Sequence, residues 1–257
     1  DMGVGTNDDS YGTTVWEEAC PPAVNTSNSL GYRVLRGDFD VVFHSGDISY
    51  ANGYLSNWDF FLDQISPIAG RVAYLTTVGN HESDWPDTAS NPGYGTASGG
   101  ECSVVALAMI PQPPPAITNK PWWSYDVGLI HFVGMSTEHN FTFNSEQYLW
   151  IEQDLQNVNR SITPWVIMSG HRPMYVDSNY CCPGGTTETC TSGCTAGEDV
   201  EVMQALQANI EPLLHKYRVN LGWAGHFHNV QRQAAVYQGN VAQYSSLRYD
   251  TEGNPVH

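Results

Sequence analysis

The feature that most constrains this sequence is an apolar, strand-like run that ends abruptly in polar residues able to bind metal ions or transfer protons. The run Val72–Val78 is followed directly by Gly79, Asn80, His81 and Glu82. The same change follows three other runs, which lead to Asp47 and Tyr50, to His171, and to His226 and His228. Because ligands bind at the carboxyl ends of strands in open α/β sheets, these residues are expected to converge at one sheet edge.

The alternation of strand-like and helical segments predicts a layered α/β fold. Strands are predicted at Val41–Ser45, Val72–Val78, Trp123–Val127, Leu129–Gly134, Trp165–Ser169, Val219–Ala224 and Val241–Ser245. Helices are predicted at Trp58–Ile68, Asn144–Val158 and Asp199–Tyr217. Several of the strands are continuously apolar, which is typical of strands covered on both faces. The long segments between these elements are predicted to be irregular, at Gly3–Gly31, Ser83–Pro121 and Asn179–Asp199.

Two helix boundaries can be predicted from residues close to them in the sequence. Asn144 and Gln147 resemble a capping box at the start of the helix predicted over residues 144–158. Pro212 cannot donate a backbone hydrogen bond, so it is expected to divide the segment 199–217 into two helices. It would then lie in the first turn of the second helix, where a proline is tolerated.

The charge of the chain limits its partners. Its 257 residues, enough for one large or two small domains, include 10 Lys+Arg and 27 Asp+Glu and carry a net charge of −17. This balance argues against nucleic-acid binding, which needs a basic face. An anionic substrate would need a local positive source, such as metal ions, to overcome the overall field. No apolar run approaches the ~20 residues that span a bilayer, so no membrane span is predicted.

The cysteines and glycosylation sequons favour an oxidising compartment. The cysteines are Cys20, Cys102, Cys181, Cys182, Cys190 and Cys194, and the sequons begin at Asn25, Asn140 and Asn159. An even number of cysteines beside N-glycan acceptors predicts disulfides in a secreted, vacuolar or lysosomal protein. Two alternatives stay open: the cluster over residues 181–194 is a zinc knuckle, and the sequons arise by chance. The chain begins without a Met, so a leader is expected to have been removed or left out.

The polar residues at the strand ends form a set of oxygen and nitrogen ligands without a thiolate. They are Asp1, Asp47, Tyr50, Asn80, His81, His171, His226 and His228. This set suits Fe, Mn or Zn, and it is too large for one tetrahedral zinc ion. It suffices for two six-coordinate metals bridged by a carboxylate, as in two-metal hydrolysis. Each residue alone also fits a turn or a satisfied polar side chain, and His44, His131 and His215 are predicted to have only such structural roles.

Five blocks in this order resemble the calcineurin-like metallophosphoesterases. They are Asp1–Gly3, Gly46–Tyr50, Gly79–Glu82, Gly170–Pro173 and Gly225–His228. Tyr50, continued by residues 51–54, is similar to the purple acid phosphatase branch of that family, as are residues 136–139 and 145–148. The resemblance spans essentially the whole chain. It implies a four-layer αββα sandwich with mixed sheets, in which residues 1–257 are a catalytic domain that is incomplete at both ends. Many members carry an N-terminal β-sandwich domain, which is not present here.

The resemblance also implies a dinuclear metal centre. Ferric iron, Fe(III), would be held by Asp1, Asp47, Tyr50 and His228. A divalent Zn, Fe or Mn ion would be held by Asp47, Asn80, His171 and His226, with Asp47 bridging the two. The implied activity is that of an acid phosphatase, which hydrolyses phosphate monoesters by attack of a metal-bound hydroxide.

The residues around the implied centre suggest how a phosphorylated small-molecule substrate is bound. Asn80 and His81 would contact the phosphate, and His81 would protonate the leaving alkoxide. His139 or Tyr180 would line the substrate pocket. Arg172 would either contact the phosphate or complete a structural turn with Pro173. The alternatives are a phosphodiesterase or nucleotide pyrophosphatase on the same scaffold, or an inactive extracellular glycoprotein. The residues do not indicate an oligomeric state.

Overall fold

Two β-sheets lie at the centre of the computed structural model, which describes residues 1–5, 22–83, 98–176, 197–241, 248–249 and 255–256. The first sheet pairs β1 (Val41–Ser45) with β2 (Ala73–Thr77) in parallel. The second has the order β3-β4-β5-β6, formed by Trp123–Val127, Ile130–Gly134, Trp165–Ser169 and Leu221–Trp223. Strand β3 is antiparallel to β4, whereas β4, β5 and β6 are parallel. Short antiparallel pairs follow, β7 (Val236–Tyr237) with β8 (Asn240–Val241) and β9 (Arg248–Tyr249) with β10 (Pro255–Val256).

The two sheets pack against each other through alternate side chains. Phe43 of β1 and Leu75 of β2 face Trp123, Phe132 and Ile167 of the second sheet in one apolar cluster. The indole Nε1 of Trp123 also donates to the carbonyl of Thr76 across the interface, at 2.7 Å. Because successive side chains of a strand point to opposite faces, the neighbours of these residues point outward, where helices cover them.

Helices cover both outer faces of the sheet pair. On the first sheet, α1 (Pro22–Leu35) and α2 (Leu55–Ala69) pack over Tyr74. On the second, α4 (Glu146–Asn157), α5 (Gly197–Asn209) and α6 (Glu211–Lys216) bury Val133, Val166 and Met168. A short helix, α3 (Val104–Met109), packs with the first group. The predicted α/β sandwich with mixed sheets is therefore confirmed, and its layers follow the order helix, sheet, sheet, helix.

Several predicted boundaries need correction. Most of helix α1 lies in a segment that was predicted to be irregular. The helix was missed because its buried face is made mainly of small residues such as Ala23, Ser27 and Gly31. Helix α3 was also missed. Ser145, not Asn144, caps α4: its side chain accepts from the backbone N–H of Tyr148. The predicted strand 219–224 is shorter, and most of the predicted strand 241–245 lies outside the described residues.

The break predicted at Pro212 is confirmed, because α5 ends at Asn209 and Pro212 lies in the first turn of α6. The predicted helix 58–68 corresponds to α2. In the part of the chain that the structure describes, no helix combines the length and the apolar character that crossing a membrane requires.

Candidate metal centre

Strands from both sheets end at the same place. Ser45, the last residue of β1, and Ser169, the last residue of β5, are both buried, and their hydroxyl oxygens lie 3.0 Å apart. This contact joins the carboxyl ends of the two sheets. The loops that follow β1, β2, β5 and β6 therefore meet at one site, although their residues are far apart in the sequence.

Asp47 lies at the centre of this site. Its side chain is 2% exposed, one carboxylate oxygen (Oδ2) is 3.0 Å from Nε2 of His171, and the other (Oδ1) accepts the backbone N–H of His81 at 3.0 Å. Burial alone would raise the pKa of Asp47. The charge and hydrogen bond of His171 outweigh burial, and they hold the pKa of Asp47 well below its usual range. Asp47 is therefore ionised, as a metal ligand must be.

The orientation of His171 is set by the first sheet. Its Nδ1 donates to the backbone carbonyl of Ser45 at 2.7 Å, so this nitrogen must carry a hydrogen. Its Nε2 then points into the site, 3.0 Å from Oδ1 of Asn80 and 3.2 Å from Nδ1 of His226. The ligand atoms of Asp47, His171 and His226 all lie within 4.8 Å of one another, which is compatible with a shared cation. Burial lowers the pKa of His171, but the carboxylate of Asp47 reverses this and raises it.

A second group of ligand atoms adjoins the first. The phenol oxygen of Tyr50 lies 2.8 Å from Nε2 of His228 and 3.4 Å from a carboxylate oxygen of Asp1. The Oδ2 atom of Asp47 is also 3.4 Å from the Tyr50 oxygen, so a single carboxylate oxygen borders both groups. Asp1 further accepts the backbone N–H of His226 at 2.6 Å. The side chain of His228 is largely exposed, and partial desolvation at the site lowers its pKa, which favours the neutral imidazole that binds metals.

The backbone around the site is strained at proposed ligands. Asp47, Tyr50 and His226 have left-handed φ angles of 47°, 52° and 71°. Non-glycine residues rarely adopt this region, at a cost of about 1–3 kcal/mol each, and such strain concentrates at functional sites.

Glycines let the ligand loops approach each other closely. A Cβ atom on Gly79 would collide with the Asp47 carboxylate, and one on Gly225 would collide with that of Asp1. A Cβ on Gly46 would lie 2.8 Å from Nδ1 of His171. At these three positions the packing leaves room for the loops and for no further side chain. The donor set of carboxylate, phenol, amide and imidazole groups fits a pair of cations by its chemistry.

His81 directly follows Asn80, a proposed ligand, in the loop after β2. Nδ1 of His81 lies 2.8 Å from the amide oxygen of Asn52, and its ring centre lies 4.3 Å from that of Tyr50. Since the amide oxygen can only accept, Nδ1 of His81 carries the hydrogen in this contact. Asn52 was not among the predicted site residues. Its position two residues after Tyr50 was the available signal in the sequence, and in the structure it adopts a left-handed φ of 49°.

Glu82 is a second residue that sequence reasoning missed. Its side chain is fully buried and accepts the backbone N–H groups of Ile48, at 2.7 Å, and Gly79, at 2.9 Å. Burial, with repulsion from Asp47, raises the pKa of Glu82 to about 7. Its place directly after His81 in the second block was the available signal.

Of the two residues predicted to line the substrate pocket, the structure describes His139. Nδ1 of His139 lies 2.9 Å from the hydroxyl of Ser136, and its ring meets the edge of Trp122. His139 follows the end of β4, which neighbours β5, so its backbone lies at the same edge of the second sheet as His171. Tyr180 lies outside the described residues.

The side chain of Arg172 is bound to a buried carboxylate. Its Nε and Nη2 lie 2.8 and 3.2 Å from the two carboxylate oxygens of Glu138, and both residues are buried. The backbone N–H of Arg172 also donates to the hydroxyl of Thr137. These contacts favour the structural interpretation of Arg172 over phosphate binding.

The three histidines predicted to be structural all have hydrogen-bond or ring partners. His44 lies 3.0 Å from the hydroxyl of Tyr74 through Nδ1, and its Nε2 lies 3.1 Å from the backbone nitrogen of Asp1, so it borders one proposed ligand. His215 stacks on Tyr237 with ring centres 4.1 Å apart. His131 bonds to the carboxylates of Asp126 and Asp154. Cys102 is exposed and forms no disulfide within the described residues, and the other five cysteines lie outside them.

Comparisons with known proteins point to one family. The model of the family described as "Calcineurin-like phosphoesterase" matches residues 28–230. A purple acid phosphatase from yellow lupin (Lupinus luteus) seeds has a similar structure, with a TM-score of 0.72 and 36% identity. That similarity covers 93% of this chain and 38% of the lupin chain.

Curated relatives extend this similarity over nearly the whole chain. "Probable inactive purple acid phosphatase 27" of Arabidopsis thaliana is 37% identical over 252 residues, which are 97% of this chain and 38% of that protein. "Nucleotide pyrophosphatase/phosphodiesterase" of Hordeum vulgare is 34% identical over 253 residues, which are 97% of this chain and 62% of that protein. The chain thus spans less than two thirds of the length of these relatives.

Proposed function

We propose that this chain, which belongs to the purple acid phosphatase branch of the calcineurin-like phosphoesterase family, hydrolyses phosphate monoesters at the site between its two sheets. The observation that carries the proposal is the convergence of ligand atoms from both sheets on one carboxylate. Asp47 borders His171 on one side and Tyr50 on the other. A single shared carboxylate between two groups of ligands is the arrangement of a two-metal hydrolase.

The two groups would hold different cations. Asp1, Tyr50 and His228 would bind Fe(III) with Asp47, and Asn80, His171 and His226 would bind a divalent Zn, Fe or Mn ion with the same Asp47. Phenolate and carboxylate oxygens suit the harder ion, whereas imidazole and amide ligands suit the divalent one. When bound, such cations supply the positive charge that attracts phosphate, acidifies water and stabilises the transition state. They would also make the site locally positive in a chain of net charge −17.

The remaining side chains would bind the substrate and transfer a proton. The amide oxygen of Asn80 faces His171, so its amide nitrogen would donate to a phosphate oxygen. Asn52 holds the His81 ring through Nδ1, and the proton would pass from Nε2 of His81 to the oxygen of the departing alcohol. The contact of His81 with the Tyr50 ring would keep the imidazole beside the metal ligands.

A phosphodiesterase is the second candidate function. The barley relative is named a nucleotide pyrophosphatase/phosphodiesterase and matches 97% of this chain. An inactive protein is the third, since several Arabidopsis relatives are named probable inactive purple acid phosphatases. The close approach of all the proposed ligands favours activity, because a site without selection would be expected to lose ligand residues.

One experiment separates these functions. The purified protein is assayed with p-nitrophenyl phosphate and with bis(p-nitrophenyl) phosphate, and its metals are counted by elemental mass spectrometry. The proposal expects about two metals per chain, at least one of them iron, and faster hydrolysis of the monoester. Faster hydrolysis of the diester would favour the second function, and bound metals without hydrolysis would favour the third. A protein that takes up no metal would exclude the proposed chemistry.

A matched pair of variants shows whether the described site is responsible. His226→Ala removes a proposed ligand, so both the metal content and the rate should fall. His215→Ala removes an imidazole that stacks on Tyr237 away from the ligands, so both should stay at the wild-type level.

Secretion and glycosylation are part of the same proposal. The Asn140 and Asn159 side chains are exposed, and each accepts a backbone N–H from its own sequon, from Thr142 at 2.9 Å and from Ser161 at 3.0 Å. Asn25 is exposed on α1. All three would therefore be accessible to a glycan in the folded chain. A loss of mass after treatment with an N-glycosidase is the expected result, and an unchanged mass would argue against a secretory route through a glycosylating compartment.

A further inference from the structure

We infer that Glu82 is a positioning residue that locks the two loops carrying Asp47 and Asn80 into the geometry required for metal binding. The inference rests on the proposed function, because the residues that Glu82 positions are the proposed ligands. Glu82 itself is not proposed to contact metal or substrate. It would act through the backbone of its neighbours.

The inference starts from a reciprocal exchange of hydrogen bonds between the loops after β1 and β2. Glu82, in the second loop, accepts the N–H of Ile48 in the first loop at 2.7 Å. Asp47, in the first loop, accepts the N–H of His81 in the second loop at 3.0 Å. Each loop therefore contributes one carboxylate and one backbone donor to the other. In each loop the donor and the carboxylate belong to neighbouring residues, which are Asp47 and Ile48 in the first loop and His81 and Glu82 in the second.

Glu82 also bonds within its own loop. Its second carboxylate oxygen accepts the N–H of Gly79 at 2.9 Å, directly before Asn80. One side chain thus fixes the peptide group after Asp47 and the backbone N–H of Gly79, the residue that precedes Asn80. Asp47 and Asn80 are the proposed bridging ligand and a ligand of the divalent ion. An error of about 1 Å in either would weaken binding of the shared cation.

The chemistry of the site explains why a carboxylate is needed at this position. The two oxygens of Glu82 each accept from a different N–H, and the side chain has no measurable exposure. In a glutamine one of these atoms would be an NH₂ group, which donates and would face a backbone N–H. Glu82→Gln would therefore break one side of the link while keeping the side-chain volume. Removing such support around a metal ligand commonly costs 10- to 100-fold in affinity.

Glu211 provides a matched control. Its carboxylate is also buried, and it accepts the hydroxyl of Tyr175 at 2.6 Å and the N–H of Gln238 at 3.1 Å. These partners hold the β7–β8 hairpin against the start of α6, and neither is a proposed metal ligand. Glu211→Gln should therefore lower stability without changing the affinity for metal.

The test compares how firmly the native protein and its variants retain their metals. Each purified protein is incubated with increasing concentrations of a chelator, and the retained metal is counted by elemental mass spectrometry. Glu82→Gln should release metal at a chelator concentration about 10- to 100-fold lower than wild type, and Glu211→Gln at the wild-type concentration. Thermal unfolding of each stripped protein measures the purely structural cost of the substitution. Glu82→Gln with wild-type retention would overturn the inference.

A second measurement applies if Glu82→Gln does not fold. In metal-stripped wild type, the link should already exist, so the amide hydrogens of Ile48 and Gly79 should exchange slowly. Rapid exchange of either amide in the stripped, folded protein would overturn the inference.

Failure of the proposed function has a different result: wild type would retain metals, and Glu82→Gln would lose them sooner, yet neither would hydrolyse a phosphate ester. A wild-type protein without metals would overturn both.

Discussion

Asp47 and His171 approach each other from different β-sheets, with 3.0 Å between Oδ2 and Nε2, and neither side chain is accessible to more than 2%. Neither residue could be placed by its own sheet alone. Asp47 follows β1, whereas His171 follows β5 and takes its orientation from the carbonyl of Ser45 at the end of β1. The site is therefore a product of the sheet-on-sheet packing. Any change that separates the two sheets should reduce metal binding before it unfolds the chain.

Substitution of the shared carboxylate should affect both metals. In Asp47→Asn the side chain loses the charge that both groups of ligands border, so the metal content should fall from about two per chain to below one. The rate with p-nitrophenyl phosphate should fall by at least about 10²–10³. Metal counting and initial rates test this. Retention of both metals by Asp47→Asn would show that Asp47 does not bridge them.

Removal of the proposed acid should separate catalysis from metal binding. His81→Ala should lower turnover of a phosphate monoester by roughly 10²–10⁴, while both metals stay bound. The backbone N–H of His81 donates to Asp47, and alanine keeps that group. Wild-type turnover in this variant would show that His81 is not the acid.

Asn52→Ala should also lower the turnover of a phosphate monoester, but by less than His81→Ala does. It removes the oxygen that holds Nδ1 of His81 but leaves the imidazole itself. We expect a fall of about fivefold in kcat, because one hydrogen bond is worth about 1 kcal/mol. The double variant tests whether the two act together: its kcat should equal that of His81→Ala alone. A further loss of about fivefold in the double variant would show that Asn52 acts independently of His81.

The strands and their polar ends could be predicted because their signals are local. An apolar run such as Val41–Phe43, followed closely by Gly46 and Asp47, is recognised within a few residues. The packing order of the layers could not be read in this way. It depends on which alternate side chains meet across the sheets, such as Phe43 with Trp123 at a ring distance of 5.3 Å.

The missed features depend on contacts between distant segments. Helix α1 has a weak apolar pattern, and its small residues are explained only by their packing: a Cβ on Gly31 would lie within 4 Å of Pro67 and Ile68 of α2. Glu82 binds Ile48 through a backbone N–H, and a backbone group carries no residue-type signal. Sequence reasoning therefore found the proposed ligands more readily than the residues that support them.

The buried pair of Arg172 and Glu138 should matter for stability and not for substrate binding. Arg172→Gln leaves the carboxylate of Glu138 buried without its guanidinium partner, which commonly costs about 3–5 kcal/mol of unfolding free energy. At a temperature where the variant is folded, its KM for p-nitrophenyl phosphate should match wild type. Urea unfolding and steady-state kinetics test this. A raised KM with unchanged stability would assign Arg172 to phosphate binding.

The contribution of His131 to the stability of the fold should be larger in acid than at alkaline pH. Its Nδ1 lies 2.6 Å from a carboxylate oxygen of Asp126, and its Nε2 lies 2.9 Å from one of Asp154. Two carboxylates can only accept, so the imidazole must donate from both nitrogens and carry a positive charge. Burial lowers the pKa of His131, but the hydrogen bonds and charges of Asp154 and Asp126 outweigh it and raise the pKa.

A folded-state pKa above the unfolded value means that the contribution of His131 is fully present below about pH 6.5 and is lost as the pH rises through the folded value. Asp126 is largely exposed, so water screens its pair and the contribution should be about 1 kcal/mol. Urea unfolding of wild type and His131→Gln at pH 5 and at pH 8.5 measures it. The free energy of unfolding of the wild type should exceed that of His131→Gln at pH 5, and this difference should be smaller at pH 8.5. An equal difference at both values would mean that His131 is held neutral, and that one of its carboxylate partners is protonated instead.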